Sequence, residues 1–149
     1  MRLSLRLNRM NIAQINISKL RYPKHSPEVD EFTKNISRIN LLAQKCDGYV
    51  WHLEEESAGA RYFEDPLMLA NLSIWTSIND LRRFVYRTNH GDFVKHKTKW
   101  FKTIQKPVYA LWWTQQKSGL TLDEGMERLK HLRAFGASQK AFTFSSVFS

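Results

Sequence analysis

The chain has 149 residues, 42% of them hydrophobic and 25% charged, which predicts one globular domain and excludes a disordered chain. Its net charge of +9 favours anionic partners but identifies none. The single cysteine excludes a disulfide framework within the chain and a zinc site built from several cysteines.

The first ten residues, MRLSLRLNRM, contain three arginines and no acid. They lack the continuous apolar stretch of a secretory signal, and no apolar run elsewhere is long enough to span a bilayer. We therefore predict a poorly ordered basic leader over residues 1–10, a single domain over residues 11–149, and a cytoplasmic location.

The N-terminal half predicts a strand, a helix and two further strands. Isoleucines among small polar residues indicate a strand over Asn11–Leu20. Ser26 and Pro27 are typical of a helix start, and apolar residues at three- and four-residue steps continue that helix until Gly48 can stop it. GYVWHL and LMLANLSIW then predict strands, and SAGAR predicts the turn between them.

The C-terminal half predicts two helical regions and two strands. Ser77 and Asp80 stand at capping-box spacing before a second helix. Residues 89–91, Asn-His-Gly, interrupt that helix, and Asp92 caps a continuation that carries Phe93, Trp100, Phe101 and Ile104. VYALWWT predicts the next strand. A second capping box, Thr121 with Glu124, predicts a last helix that Gly136 closes, and AFTFSSVF predicts a final strand.

The core order is strand, helix, strand, strand, helix, strand. This order is typical of an α+β, ferredoxin-like fold, an antiparallel sheet with helices on one face. The residues of the other face are too apolar for solvent, since the two faces of one sheet must accommodate Trp51, Leu53, Leu72, Ile74, Leu111 and Trp113. A second subunit packed sheet against sheet would cover it, so we predict a homodimer, with a pocket in any space between the sheets.

Several segments together resemble the DUF3291 family: QINISKLRYP, GYVWHL, NLSIWTSINDLRRFVYRTNH, the WF at 100–101, YALWW and RLKHLRAFGASQKAFTF. The resemblance runs from about Asn11 to the C-terminus. It implies a relative of the antibiotic-biosynthesis-monooxygenase-like dimeric α/β barrels, in which ferredoxin-like subunits pair. That superfamily includes cofactor-free oxygenases, heme-degrading enzymes, isomerases and members without catalysis, so the resemblance implies no single reaction.

The histidines do not predict a metal centre, because His90 and His96 are six residues apart and would face different sides of a continuous helix. On a strand, His52 would point to the face opposite its neighbour Trp51, and we assign it no function. Heme needs only one axial histidine. The resemblance implies a working set of strand asparagine, strand tryptophan and helix histidine, which Asn16, Trp75 and His90 match in order and element but not in spacing. No cofactor is favoured, and heme stays open.

RNA-recognition modules share this strand and helix order, but they read bases with aromatic residues on the two central strands. The first predicted strand has no aromatic residue, and the third has one at its very end. The basic residues fall on helical segments, where they form a solvated face. The sequence therefore disfavours a nucleic-acid partner.

Polar side chains inside apolar strands predict a small-molecule pocket, because buried amides need hydrogen-bond partners. Asn16 and Asn71 both have apolar neighbours, and alternation puts Asn71, Ser73 and Trp75 on one face and Gln14 on the face of Asn16. These amides either satisfy strand ends or hold a carbonyl or hydroxyl group of a ligand.

The second helix supplies the predicted catalytic pair. Tyr86 and His90 are four residues apart and share a helix face, so His90 would move protons while Tyr86 donates to a developing oxyanion. His90 fits a helix-end cap equally well. Arg87 either binds an anionic substrate or is solvated, and Trp75, Trp100 and Trp113 complete the predicted substrate-binding set with the two asparagines.

We predict a small-molecule enzyme that acts on a hydrophobic aromatic or polyketide-like substrate by monooxygenase-like, isomerase or dehydratase chemistry. The alternatives are a non-catalytic ligand-binding or dimerisation module, and a heme-binding or heme-degrading protein.

Overall fold

The computed structural model describes residues 10–54, 58–88 and 99–149. A 3-10 turn over Pro27–Val29 precedes the first helix. The elements in chain order are β1 (Asn11–Leu20), α1 (Asp30–Lys45), β2 (Tyr49–His52), α2 (Ala58–Phe63), β3 (Met68–Trp75), α3 (Ile78–Thr88), β4 (Phe101–Lys102), β5 (Tyr109–Thr114) and α4 (Leu122–Phe135). Within these ranges, no helix combines the length and the apolar character needed to cross a membrane.

The strands form one antiparallel sheet with β1 at its centre. The order is β2-β3-β1, and the far side of β1 pairs with β5 along Asn11–Asn16 and with β4 at Lys19 and Leu20. Strands β1 and β2, which α1 connects, are separated in the sheet by β3, and strands β3 and β4, on either side of α3 in the chain, are separated by β1. The resulting order β2-β3-β1-β4 is the ferredoxin-like arrangement. The predicted α+β fold class is confirmed.

The strand register assigns each side chain to one of two faces, because successive residues of a strand point to opposite sides. The packed face carries Ala13, Ile15, Leu72, Ile74, Ala110 and Trp112, which belong to one buried cluster. The amide face carries the alternate residues, which include Gln14, Asn16, Asn71, Ser73 and Trp75.

Helix α4 covers the packed face with Met126, Leu129 and Leu132. The approach is close at Gly125, where a β-carbon would stand 2.8 Å from Leu72 Cδ2 and 2.9 Å from Ile15 Cδ1. From the sequence we expect a second subunit on this face. That expectation is wrong for the part that α4 covers, because the C-terminal helix forms a layer of the same chain.

Helices α1 and α3 lie on the amide face, near its two ends. Phe32 of α1 packs with Leu20, and Phe84 of α3 stacks on Trp75 with ring centroids 5.0 Å apart. Between these contacts, the side chains of Asn16 and Asn71 are exposed. The two helices of the core order therefore share one face, as predicted, and leave the middle of the β1–β3 pair accessible.

The predicted helix signals are confirmed where the structure describes them. Ser77 Oγ accepts from the Asp80 backbone N–H at 3.1 Å and donates to Asp80 Oδ2 at 2.8 Å, so this capping box starts α3. Thr121 Oγ1 accepts from the Glu124 N–H at 3.2 Å at the start of α4. Gly136, with a φ of 77°, closes α4.

Three local predictions are wrong. The SAGAR segment contributes to helix α2, which lies against β3 at Gly59, where a β-carbon would stand 2.7 Å from Ala70 N. The predicted helical continuation does not include Phe101, which pairs with Leu20 in β4. The AFTFSSVF segment forms isolated bridges, including Leu111 with Phe142, and no strand. The predictions on Asp92, Phe93 and most of the basic leader lie outside the described ranges.

Candidate active site

The register aligns polar residues in two neighbouring rows across the amide face. In the first row His52, Ser73 and Gln14 are direct cross-strand partners from β2 through β3 to β1. In the second row Asn71 faces Asn16, which in turn faces Tyr109 of β5. Directly opposed side chains in an antiparallel pair have β-carbons about 5 Å apart. Gln14, Asn16, Asn71 and Ser73 therefore form one polar surface, the amide patch.

Hydrogen bonds fix one half of the amide patch. Gln14 Nε2 lies 2.7 Å from Asn71 Oδ1 and 2.8 Å from Ser73 Oγ, and it donates to both. Trp75 Nε1 donates to the same Ser73 oxygen at 3.0 Å. Because the Gln14 nitrogen faces its protein partners, the Gln14 amide oxygen points elsewhere and is left as an acceptor.

The other half of the amide patch, Asn16 and Asn71, has hydrogen-bond donors and acceptors that no protein group in the described ranges uses. Asn16 is exposed, and among residues 10–54, 58–88 and 99–149 its side chain has no hydrogen-bond partner. Asn71 uses its oxygen for Gln14, so its Nδ2 donors remain. The amide patch can therefore offer both donors and an acceptor to a ligand oxygen or hydroxyl group.

Aromatic rings adjoin the amide patch on two sides. Trp75 is packed between Phe84 and the edge of Tyr49, whose ring centroid is 5.7 Å from that of Trp75. Across β1, Tyr109 stands opposite Asn16, and its ring lies 5.7 Å from Phe144. Trp75 itself is fully buried, whereas Tyr109 and Phe144 are partly exposed. Polar groups beside such partly exposed aromatic rings are typical of a site for an aromatic small molecule.

Tyr49 and His52 form a second polar contact on this face, in which the Tyr49 hydroxyl meets His52 Nδ1. Burial raises the pKa of Tyr49 above its usual value, and the Glu54 carboxylate raises it further. The phenol therefore keeps its proton at neutral pH. The sequence does not predict this pair, because a regular strand would point residues three apart to opposite faces. A bulge between Tyr49 and Trp51 turns both Tyr49 and His52 toward the amide face.

The family model for the domain of unknown function DUF3291 matches residues 11–149. The chain belongs to the DUF3291 family. The family predicted from sequence is thereby confirmed, over the span for which the resemblance was stated. No protein with a curated description matches this DUF3291 chain.

Two solved structures are similar to this DUF3291 chain in overall shape. SnoaB, a cofactor-independent oxygenase from Streptomyces nogalater, has a TM-score of 0.44 and 17% identity, and the match covers 76% of this chain and 97% of SnoaB. A conserved protein from Methanosarcina mazei Go1 has a TM-score of 0.47 and 14% identity, covering 76% of this chain and 99% of the other. Similarity at this level does not determine the chemistry of the amide patch.

The structure brings some of the predicted site residues together. Asn16, Asn71 and Trp75 lie on the amide face, as does Trp113, which stands opposite Ile12. Trp113 Nε1 donates to the Phe148 carbonyl at 2.6 Å, so its polar edge is already engaged by the C-terminal segment. The two asparagines are thus the predicted substrate-binding residues that a ligand on the amide patch could contact directly.

Other predicted residues lie elsewhere or outside the described ranges. Tyr86 is 62% exposed on the side of α3 away from Leu81, and Arg87 directs Nη1 toward Cys46 Sγ at 4.0 Å. Trp100 is 1% exposed and packs against Phe32. None of these three side chains meets the amide patch. The predicted catalytic residue, His90, lies in residues 89–98, which the structure does not describe.

Asn16 and Trp75, two of the three residues that the resemblance implies for a heme site, lie in the described part of the chain. Trp75 is fully buried beneath Phe84 and Tyr49, so its ring offers no surface to a ligand on the amide face. Asn16 lies four residues along β1 from Ile12, the partner of Trp75, a separation of roughly 13 Å. Asn16 and Trp75 therefore do not form one surface on which a heme could lie. In the described part of the chain, no group of three or more His, Cys, Asp or Glu side chains could hold a metal ion.

Proposed function

We propose that this DUF3291 protein is a small-molecule enzyme that binds a hydrophobic aromatic or polyketide-like substrate on the amide face. The observation that carries the proposal is the exposed, cross-strand pair Asn16 and Asn71, which lies beside aromatic residues on the same face of the sheet. Such a surface suits a ligand with a flat apolar body and a carbonyl or hydroxyl group. The two amides orient that oxygen against the sheet.

The chemistry in this proposal is proton transfer at the oriented substrate. His90, placed on the helix that follows β3 by the sequence analysis, is the proposed proton carrier. Isomerisation and dehydration need only the movement of protons between positions of the substrate and, for dehydration, the loss of water. Oxygenation also consumes dioxygen, so a comparison of aerobic and anaerobic reactions separates it from the other two.

A turnover assay on a panel of phenolic and carbonyl-bearing polycyclic compounds tests the proposal, with substrate loss followed by liquid chromatography and mass spectrometry. The test variant is Asn16→Ala with Asn71→Ala, and the control is Gln105→Ala, which removes an exposed amide between β4 and β5. We expect at least one compound to be consumed about 10-fold or more slowly by the double variant and at the wild-type rate by the control. Turnover that the double variant retains in full would refute the role of the amide patch.

A non-catalytic ligand-binding module is the second candidate, and the position of Tyr86 favours it. Because Tyr86 is exposed on the far side of α3, the predicted donor to an oxyanion is not at the amide patch. A binding module would retain a compound on the amide face and release it unchanged. Native mass spectrometry of bound compounds, followed by their recovery, distinguishes retention from conversion.

The homodimer and the cytoplasmic location expected from the sequence are part of the proposal. Because α4 covers the packed face, a dimer has to use another surface. Exposed apolar side chains in the described ranges include Leu41 and Leu42 on α1 and Phe135 at the end of α4. Light scattering after size-exclusion chromatography is expected to give twice the mass of one chain. If the measured mass is that of a single chain, the proposed dimer is wrong, but the proposed binding at the amide patch is not affected.

A further inference from the structure

His52 extends the polar row of the amide patch by one strand. It is the direct cross-strand partner of Ser73, which accepts from Gln14 and Trp75. His52 is only partly buried, so the ring is reachable from solvent. Among the described residues, its Nδ1 contacts the Tyr49 hydroxyl and its Nε2 has no hydrogen-bond partner.

The Tyr49 contact couples the tautomer of a neutral His52 to the position of the Tyr49 hydroxyl proton. Tyr49 is protonated at neutral pH, as an unperturbed tyrosine already is, and burial raises its pKa further, so the phenol O–H is available to donate. When this O–H donates to Nδ1, the imidazole proton is on Nε2. The two ring nitrogens point in nearly opposite directions, so the Nε2–H points away from Tyr49 as a free donor.

We propose that His52 Nε2–H donates a hydrogen bond to a carbonyl, phenol or enol oxygen of the ligand, and that Tyr49 is the positioning residue that sets the tautomer of His52. The inference rests on the proposed function and adds a chemical requirement to it. The ligand must carry an oxygen acceptor that meets His52 while its apolar body lies along the amide face. An aromatic hydrocarbon without such an oxygen lacks this contact.

The tautomer can be measured without any ligand. Long-range ¹H–¹⁵N correlation spectra of ¹⁵N-histidine-labelled full-length protein distinguish Nε2–H from Nδ1–H imidazoles. We expect the His52 signals of the wild type to show the proton on Nε2, and Tyr49→Phe, which keeps the ring against Trp75, to shift them toward a mixture of tautomers. A wild-type His52 with its proton on Nδ1, or signals that Tyr49→Phe leaves in place, would overturn the assignment.

Two substitutions of His52 separate its donor from its acceptor. His52→Gln keeps an amide nitrogen near the position of Nε2, and His52→Asn keeps an acceptor near Nδ1 but loses the outer donor. The probes are α-tetralone and tetralin, which share a bicyclic frame and differ by one carbonyl oxygen. We expect α-tetralone to bind the wild type about 5–10-fold more tightly than tetralin, His52→Asn to lose that preference, and His52→Gln to retain most of it.

The outcomes of this binding experiment separate the two proposals. Equal affinities for α-tetralone and tetralin in the wild type, or an unchanged preference in His52→Asn, would overturn the role of His52 and leave the amide patch as a binding surface. If neither probe binds the wild type, both the role of His52 and the proposed aromatic site fail. Fluorescence quenching of the tryptophans and ligand-observed NMR measure the affinities independently.

Discussion

Gln14 and Ser73 face each other across β1 and β3, and the Gln14 side-chain nitrogen donates to the Ser73 hydroxyl oxygen at 2.8 Å. The same buried oxygen accepts from the Trp75 indole at 3.0 Å. One hydroxyl group therefore connects the amide patch to the aromatic cluster beside it. Gln14 also donates to Asn71 Oδ1, so the orientation of the Gln14 and Asn71 side chains depends on this hydroxyl group.

Ser73→Ala should destabilise the fold by about 1–3 kcal/mol, because it leaves the buried Trp75 N–H without an acceptor and removes one of the two acceptors of Gln14. Urea unfolding followed by tryptophan fluorescence measures the change in the free energy of unfolding. Ser118→Ala, at an exposed loop position, is the matched control and should stay within about 0.5 kcal/mol of the wild type. Equal stabilities for the two variants would contradict the network.

Gly125→Ala should lower the free energy of unfolding by about 1–2 kcal/mol although alanine favours helices, because its β-carbon would overlap Leu72 and Ile15. The control is Glu127→Ala, at an exposed position of the same helix, which should change stability by less than about 0.5 kcal/mol. Thermal and urea unfolding report both variants. A more stable Gly125→Ala protein would show that α4 does not lie on the packed face.

Tyr49 should ionise at a higher pH than an unperturbed tyrosine. Its pKa is raised above 10, first by burial and then by the Glu54 carboxylate. The unfolded chain then releases the Tyr49 proton at lower pH than the folded protein, so the stability linked to this proton is complete below pH 10 and is lost as the pH rises through the raised pKa. In a pH titration, the absorbance of tyrosinate near 295 nm should show a step at high pH that is missing in Tyr49→Phe. If the signal that Tyr49→Phe removes titrates at the pH of an unperturbed tyrosine, the burial of Tyr49 is contradicted.

Local chemistry in the sequence predicted much of the fold. Isoleucine alternation marked β1 with the bounds it has, Asn11–Leu20, and two capping boxes marked the starts of α3 and α4. These signals are reliable because the side chain and the backbone group that it satisfies lie within a few residues of each other. Alternation likewise placed Asn71, Ser73 and Trp75 on one face without reference to any partner strand.

The missed features depend on contacts between distant residues. The bulge in β2 that turns His52 toward Ser73 arises from pairing with β3, and nothing in the YVWH segment marks it. Helix α4 covers the packed face because Gly125 permits close approach to Leu72, 53 positions earlier in the chain, whereas a glycine inside a helix only lowers the predicted helix propensity. Tyr86 was placed by its spacing from His90, and spacing alone does not tell which side of α3 faces the sheet.

The proposed function requires that an oxygenated aromatic molecule binds on the amide face against Asn16 and Asn71. The most direct measurement is a ¹H–¹⁵N spectrum of the side-chain amide groups during titration with α-tetralone, with signals assigned by single substitutions. We expect the Asn16, Asn71 and Gln14 signals to move together and saturably while the exposed Gln105 signal stays in place. Movement confined to other side chains, or no saturable movement at the amide patch, would contradict it.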